Sequence, residues 1–159
     1  MKKFLAFLAC AMFAVPTFAQ EAKEEKKGFK FEVVKEIPIT PIKDQNQAGT
    51  CWSYSGLALI EAELLRMGKG EYDLSEMFVV FNTYMDRARA AVRTHGDVSF
   101  SQGGSFYDVL YAMENYGLVP DCEMPAGVMY GETLSNHTEL SAIADAAVNA
   151  IAEGKLRQL

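Results

Sequence analysis

The chain has 159 residues, 50% hydrophobic and 23% charged, the size and balance of one globular domain rather than two. A formal net charge of −6 argues against a nucleic-acid partner, which selects for a basic face. Cys10, Cys51 and Cys122 form neither a CxxC pair nor a Cys/His cluster, so no metal or other cofactor is expected.

The first segment reads as targeting. Lys2 and Lys3 precede an apolar run over residues 4–15, and small residues follow up to Ala19. This is the pattern of a secretory signal peptide over residues 1–19, of bacterial type, and it predicts an exported product, periplasmic or extracellular. The run is shorter than the roughly 20 apolar residues of a membrane-spanning helix, and Pro16 interrupts it, so no membrane span is expected after cleavage. Cys10 leaves with the leader. Residues 20–37 read as a charged leader, EAKEEKK, followed by a first strand over residues 29–34, where Phe29, Phe31 and Val33 alternate with polar positions. Pro38 and Pro41 then impose extended backbone as far as Asp44.

Residues 38–159 are dominated by helical signals. Apolar residues at i, i+3/i+4 spacing run from Cys51 to Met67 and stop at Gly68. Asp73 and Glu76, three apart, read as a capping box opening a second helix that continues to about residue 93 and ends at Gly96. A third helix is predicted over residues 105–116, after the turn Gln102-Gly103-Gly104 and before Gly117 as a left-handed cap. An alanine-rich fourth runs over residues 138–153.

The chemistry concentrates in residues 40–56, TPIKDQNQAGTCWSYSG, which place Cys51 at the first turn of a helix. A cysteine there meets unpaired backbone N–H groups and the positive end of the helix dipole, both of which favour a thiolate. Gln45, six residues upstream, carries a side-chain amide that a loop can bring beside the Cys51 backbone N–H, and two such donors make an oxyanion hole. Spacing alone leaves a second account open, a structural thiol beside an ordinary loop glutamine.

The stretch Gln45-Asn46-Gln47-Ala48-Gly49-Thr50-Cys51-Trp52-Ser53 resembles the active-site segment of papain-like cysteine peptidases. Three further blocks follow in the family's order: Leu74-Ser75-Glu76-Met77-Phe78, Gln102-Gly103-Gly104-Ser105-Phe106 and Tyr116-Gly117-Leu118-Val119-Pro120. Ala48 stands where the cathepsin branch has a disulfide-forming cysteine; this and Thr50 resemble the bleomycin hydrolase and aminopeptidase C branch. The resemblance implies an α+β fold, of which this chain supplies mainly the helical half. It also implies Cys51 as nucleophile, Gln45 as oxyanion donor, Trp52 packed behind the nucleophile, and a substrate-binding set of Gly103 and Gly104, whose backbone lines the cleft for a peptide substrate, together with Trp52. A homo-oligomer is implied in the same way.

In that family the histidine and asparagine follow the cysteine by roughly 130–150 residues, beyond Leu159. His95 reads as a helix C-terminal cation and His137 as a loop residue, neither suited to complete the site. The expectation is the amino-terminal part of a longer peptidase, an exported aminopeptidase that is inactive as this fragment. The competing expectation is a peptide-binding or interaction half-domain without chemistry. Cys122, between Asp121 and Glu123, reads as a structural thiol.

Overall fold

The computed structural model describes residues 28–127 and 131–154, and the expected leader lies outside them. Residues 28–34 belong to a unit distinct from the one that begins at Lys35. In that first unit the predicted strand over residues 29–34 is not formed, and Phe29, Phe31, Val33 and Val34 are exposed. Alternation by itself does not make a strand when no edge accepts its hydrogen bonds.

From Lys35 onward the structure is helical. Among the described residues four α-helices follow in order, α1 (Cys51–Arg66), α2 (Glu76–Arg93), α3 (Phe106–Tyr116) and α4 (Thr138–Ala152), with a 3₁₀ turn at Asp121–Glu123. Among the described residues the only β pairing is two isolated bridges, Gln47 with Asn136 and Leu74 with Pro120. The helices are therefore those expected, and the strand-rich component of an α+β fold is not seen in this part of the chain.

Helix α1 packs on α2 and α3, and α2 packs on α3 and α4. Trp52, Leu57, Leu74, Met77, Val79, Val80, Val109 and Ala112 form the buried apolar cluster between them. Gly56 permits the close approach of α1 and α3, since a Cβ there would lie 2.6 Å from Val109 Cγ2.

Two helix ends differ from expectation. The N-cap of α2 is Ser75, whose Oγ accepts from Phe78 N at 3.0 Å and donates to Met124 O at 2.6 Å. Asp73 and Glu76 are instead drawn to Lys43, whose Nζ lies 2.6 Å from Asp73 Oδ1 and 2.8 Å from Glu76 Oε1. Gly117 closes α3 with φ 81° and ψ −165°, a positive-φ glycine outside the left-handed helical region. Helix α3 itself carries the capping box, between Ser105 and Asp108.

The extended segment before α1 is pinned by buried polar groups rather than by a sheet. Thr40 Oγ1 donates to Glu61 Oε2 at 2.6 Å, Lys43 Nζ donates to Leu74 O at 3.0 Å, and Leu74 N donates to Glu61 Oε1 at 2.8 Å. Glu61 and Glu76 are both buried, and the bonds they accept are what makes their burial tolerable.

Candidate active site

Cys51 is the first residue of α1 and is exposed. The chain reaches it through a tight loop in which Asn46 adopts φ 49° and its N–H is held by Asp44 Oδ1 at 2.7 Å. Thr50, fully buried, closes the entry, its carbonyl accepting from Ser53 N at 2.9 Å. Cys122 is also exposed, in the 3₁₀ turn, and both thiols are free.

Gln45 is turned onto its own loop. Its Nε2 donates to Ala48 O at 2.8 Å, which bends residues 45–48 back toward the start of α1. A carboxamide nitrogen carries two hydrogens, so this bond leaves one for a further acceptor.

The glycine turn is joined to the Cys51 loop through Gln102. Gly49 N donates to Gln102 Oε1 at 2.8 Å, and Trp52 Nε1 donates to Gln102 O at 2.9 Å. Residues on both sides of Cys51 thus bond to one residue 50 and 53 positions away, and this brings Gly103 and Gly104 beside the helix start. Both glycines are exposed. They differ in their surroundings: a Cβ on Gly103 meets nothing within 4 Å, whereas one on Gly104 would fall 2.5 Å from Trp52 Cδ2.

Trp52 is a core residue, only 5% exposed. Its ring carries the glycine turn on one part and the Arg87 guanidinium, 5.6 Å from the centroid, on another. Tyr84 stands beside the same turn, and burial pushes its phenol up to about 12, which keeps it neutral and able to donate.

The histidines occupy other places. His95 is exposed beyond the end of α2 with φ 54°. His137 is the N-cap of α4 and is buried, with its ring edge-on to Tyr84. Its Nδ1 has no hydrogen-bond partner, and burial lowers its basicity. Its backbone N–H donates to Gln47 O at 2.9 Å, so it braces the Cys51 loop through the main chain. Among the described residues no group of His, Cys, Asp and Glu is arranged to hold a metal ion, and no helix is long and apolar enough to cross a membrane.

Sequence reasoning missed Gln102 as the connector, Arg87, and the buried Glu61. Gln102 precedes the two glycines that give its block its signal, and Arg87 sits on α2 with no motif to mark it.

Residues 29–123 match the family model described as papain family cysteine protease. The chain is 26% identical over 151 residues to cathepsin L2 of Homo sapiens, an alignment that takes in 93% of this chain and 40% of the human protein. The chain therefore spans less than half the length of that relative.

Proposed function

Because this chain belongs to the papain family of cysteine proteases, we propose that Cys51 is the nucleophile of a thiol peptidase, and that the chain supplies the nucleophile and one wall of its cleft. In the reaction, Cys51 Sγ attacks the carbonyl carbon of a peptide bond. A C–S bond forms, the C–N bond breaks, the leaving amine takes a proton, and water then cleaves the thioester to return the thiol. The tetrahedral oxyanion of each step would be met by the Cys51 backbone N–H and the second N–H of Gln45 Nε2.

The observation that supports this reading is the juxtaposition of an exposed Cys51 at a helix N-terminus with the glycine turn that Gln102 ties to it. A nucleophile needs an access path and a surface that aligns an extended substrate, and exposed Gly103 and Gly104 backbone supplies that surface. Proton transfer is left to a base that neither His95 nor His137 provides in these positions. Ala48 and Thr50, at the positions that distinguish the branches, support a relation to bleomycin hydrolase and aminopeptidase C. An aminopeptidase exported by the signal segment is the specific form we propose.

The test is labelling of the full-length protein by a peptidyl chloromethyl ketone, followed by peptide mapping. Saturable modification of Cys51, with Cys122 reacting slowly and without saturation, is expected. Equal, non-saturating labelling of both thiols overturns the reading. In a peptidase assay Cys51→Ala should show no turnover, and retained turnover would also overturn it. Binding of peptide to the wild type without any turnover of the full-length protein favours the interaction half-domain.

A further inference from the structure

Arg87 lies on α2 with its side chain 19% exposed, and its guanidinium reaches three parts of the wall beside Cys51. Nη1 donates to Ser101 O at 3.1 Å and also to Gly103 O. Nη2 pairs with Asp108 Oδ1 at 2.9 Å, and the same carboxylate accepts from Ser105 N at 2.7 Å as the cap of α3. The planar cation also faces the Trp52 ring.

These contacts grip the glycine turn from both ends. No side chain packs over the outer face of Gly103, since a Cβ there would meet open space. The hydrogen bond from Arg87 therefore orients the peptide plane between Gly103 and Gly104. A trans peptide carries its C=O and N–H on opposite sides, so with the Gly103 carbonyl turned to Arg87, the Gly104 N–H points away from it. Among the described residues no protein group accepts from that N–H. It is available to a carbonyl of an extended ligand.

We infer that Arg87 is a positioning residue for substrate binding: it sets the orientation of the Gly103 to Gly104 peptide and so the register of a peptide lying beside Cys51. The inference rests on the reading of Cys51 as the nucleophile. Arginine suits this role because its five donors in a rigid fork serve two carbonyls and a carboxylate at once, which a lysine cannot do.

The test uses the full-length protein as wild type, Arg87→Met, Arg87→Lys and Asp108→Asn. For each, the half-saturation concentration and limiting rate of Cys51 modification by a dipeptidyl chloromethyl ketone are measured, beside the rate with iodoacetamide. Arg87→Met should raise half-saturation about 2- to 10-fold, the worth of one hydrogen bond to the ligand left misoriented. Its limiting rate and iodoacetamide rate should stay near wild type, with Arg87→Lys intermediate. Asp108→Asn, which removes only one of the contacts, should give a smaller rise. Unchanged half-saturation in both Arg87 variants overturns the inference while leaving Cys51 as nucleophile intact. A parallel fall in the iodoacetamide rate also overturns it, since that marks general disruption; Arg87→Lys and Asp108→Asn remain informative where Arg87→Met does not fold. If the wild type shows no saturation, the reading of Cys51 fails, and this inference with it.

Discussion

The Trp52 indole occupies the space that a Cβ on Gly104 would require, with Cδ2, Cε2 and Cγ at 2.5, 2.6 and 2.8 Å from that position. The ring cannot retreat, because it is buried and its Nε1 is bonded to Gln102 O. Gly104→Ala should therefore destabilise the fold by about 1–3 kcal/mol, the usual cost of overpacking. Gly103→Ala, in open space, should stay within about 0.5 kcal/mol. Urea denaturation midpoints of the two variants decide the point, and equal values would contradict it.

Gly56 sets up a contest between two effects. Replacing a mid-helix glycine by alanine normally gains about 1 kcal/mol in propensity. Here the new methyl would lie 2.6 Å from Val109 Cγ2 and 3.2 Å from Phe106 Cδ2, and Val109 is fully buried. The clash should win, with a net loss of about 1–2 kcal/mol in thermal or urea unfolding. Pairing Gly56→Ala with Val109→Ala should recover part of the clash energy.

Lys43 is the cation of a crowded acidic site. Burial alone would pull its ammonium down, but hydrogen bonds to Asp73 and Glu76, with the charges of Glu76 and Glu61, raise it overall. Its contribution is thus full at neutral pH and lost only in strong base. Lys43→Met should cost about 3 kcal/mol, as when one partner of a buried pair is removed. Adding Glu76→Gln should return part of that loss.

The pH response of Lys43→Met has a definite sign. Burial raises Glu76 even with Lys43 beside it. A carboxyl whose folded value is raised binds its proton more readily when folded, so stability is greatest in acid and falls as pH rises through that value. Without Lys43 the fall should steepen between about pH 4 and neutrality. Denaturation midpoints across that range give the measurement, and a flat profile in the variant would contradict the argument.

Asp108 has the opposite sign. Burial works to raise it, but the bond from Ser105 N, with the Arg87 ion pair and the Ser105 hydroxyl, holds it below the usual carboxylate range. Its stabilisation is present above the unfolded value near about 4 and is lost as pH falls through the folded one. The gap between wild type and Asp108→Asn should therefore be about 1 kcal/mol or less at neutral pH and shrink in acid.

Much of the helical framework was legible in the residues. The 3.6-residue pattern from Cys51 onward and the small residues around the helix ends located α1 to α4 to within a few positions, because those signals are local. The cap of α2 was misread because Asp73 and Glu76 have the spacing of a capping box yet answer to Lys43, thirty residues away, and no local rule registers that pull. The strand over residues 29–34 failed for a related reason: pairing needs an edge that a pattern does not supply. Cys51 stood out by its place at a helix start, whereas the cleft role of Gly103 and Gly104 came only with the family resemblance. Arg87 did not, since its value comes entirely from which carbonyls the fold places within its reach.

The bridge through Gln102 also bears on motion. One side chain and one carbonyl of the same residue hold Gly49 and Trp52 across a separation of about fifty positions, so opening of the turn is expected to release the approach to Cys51 as well. Amide exchange at Gly49 and at the Trp52 indole should then follow one common rate, and any molecule that clamps the glycine turn will quiet the thiol's own loop as well.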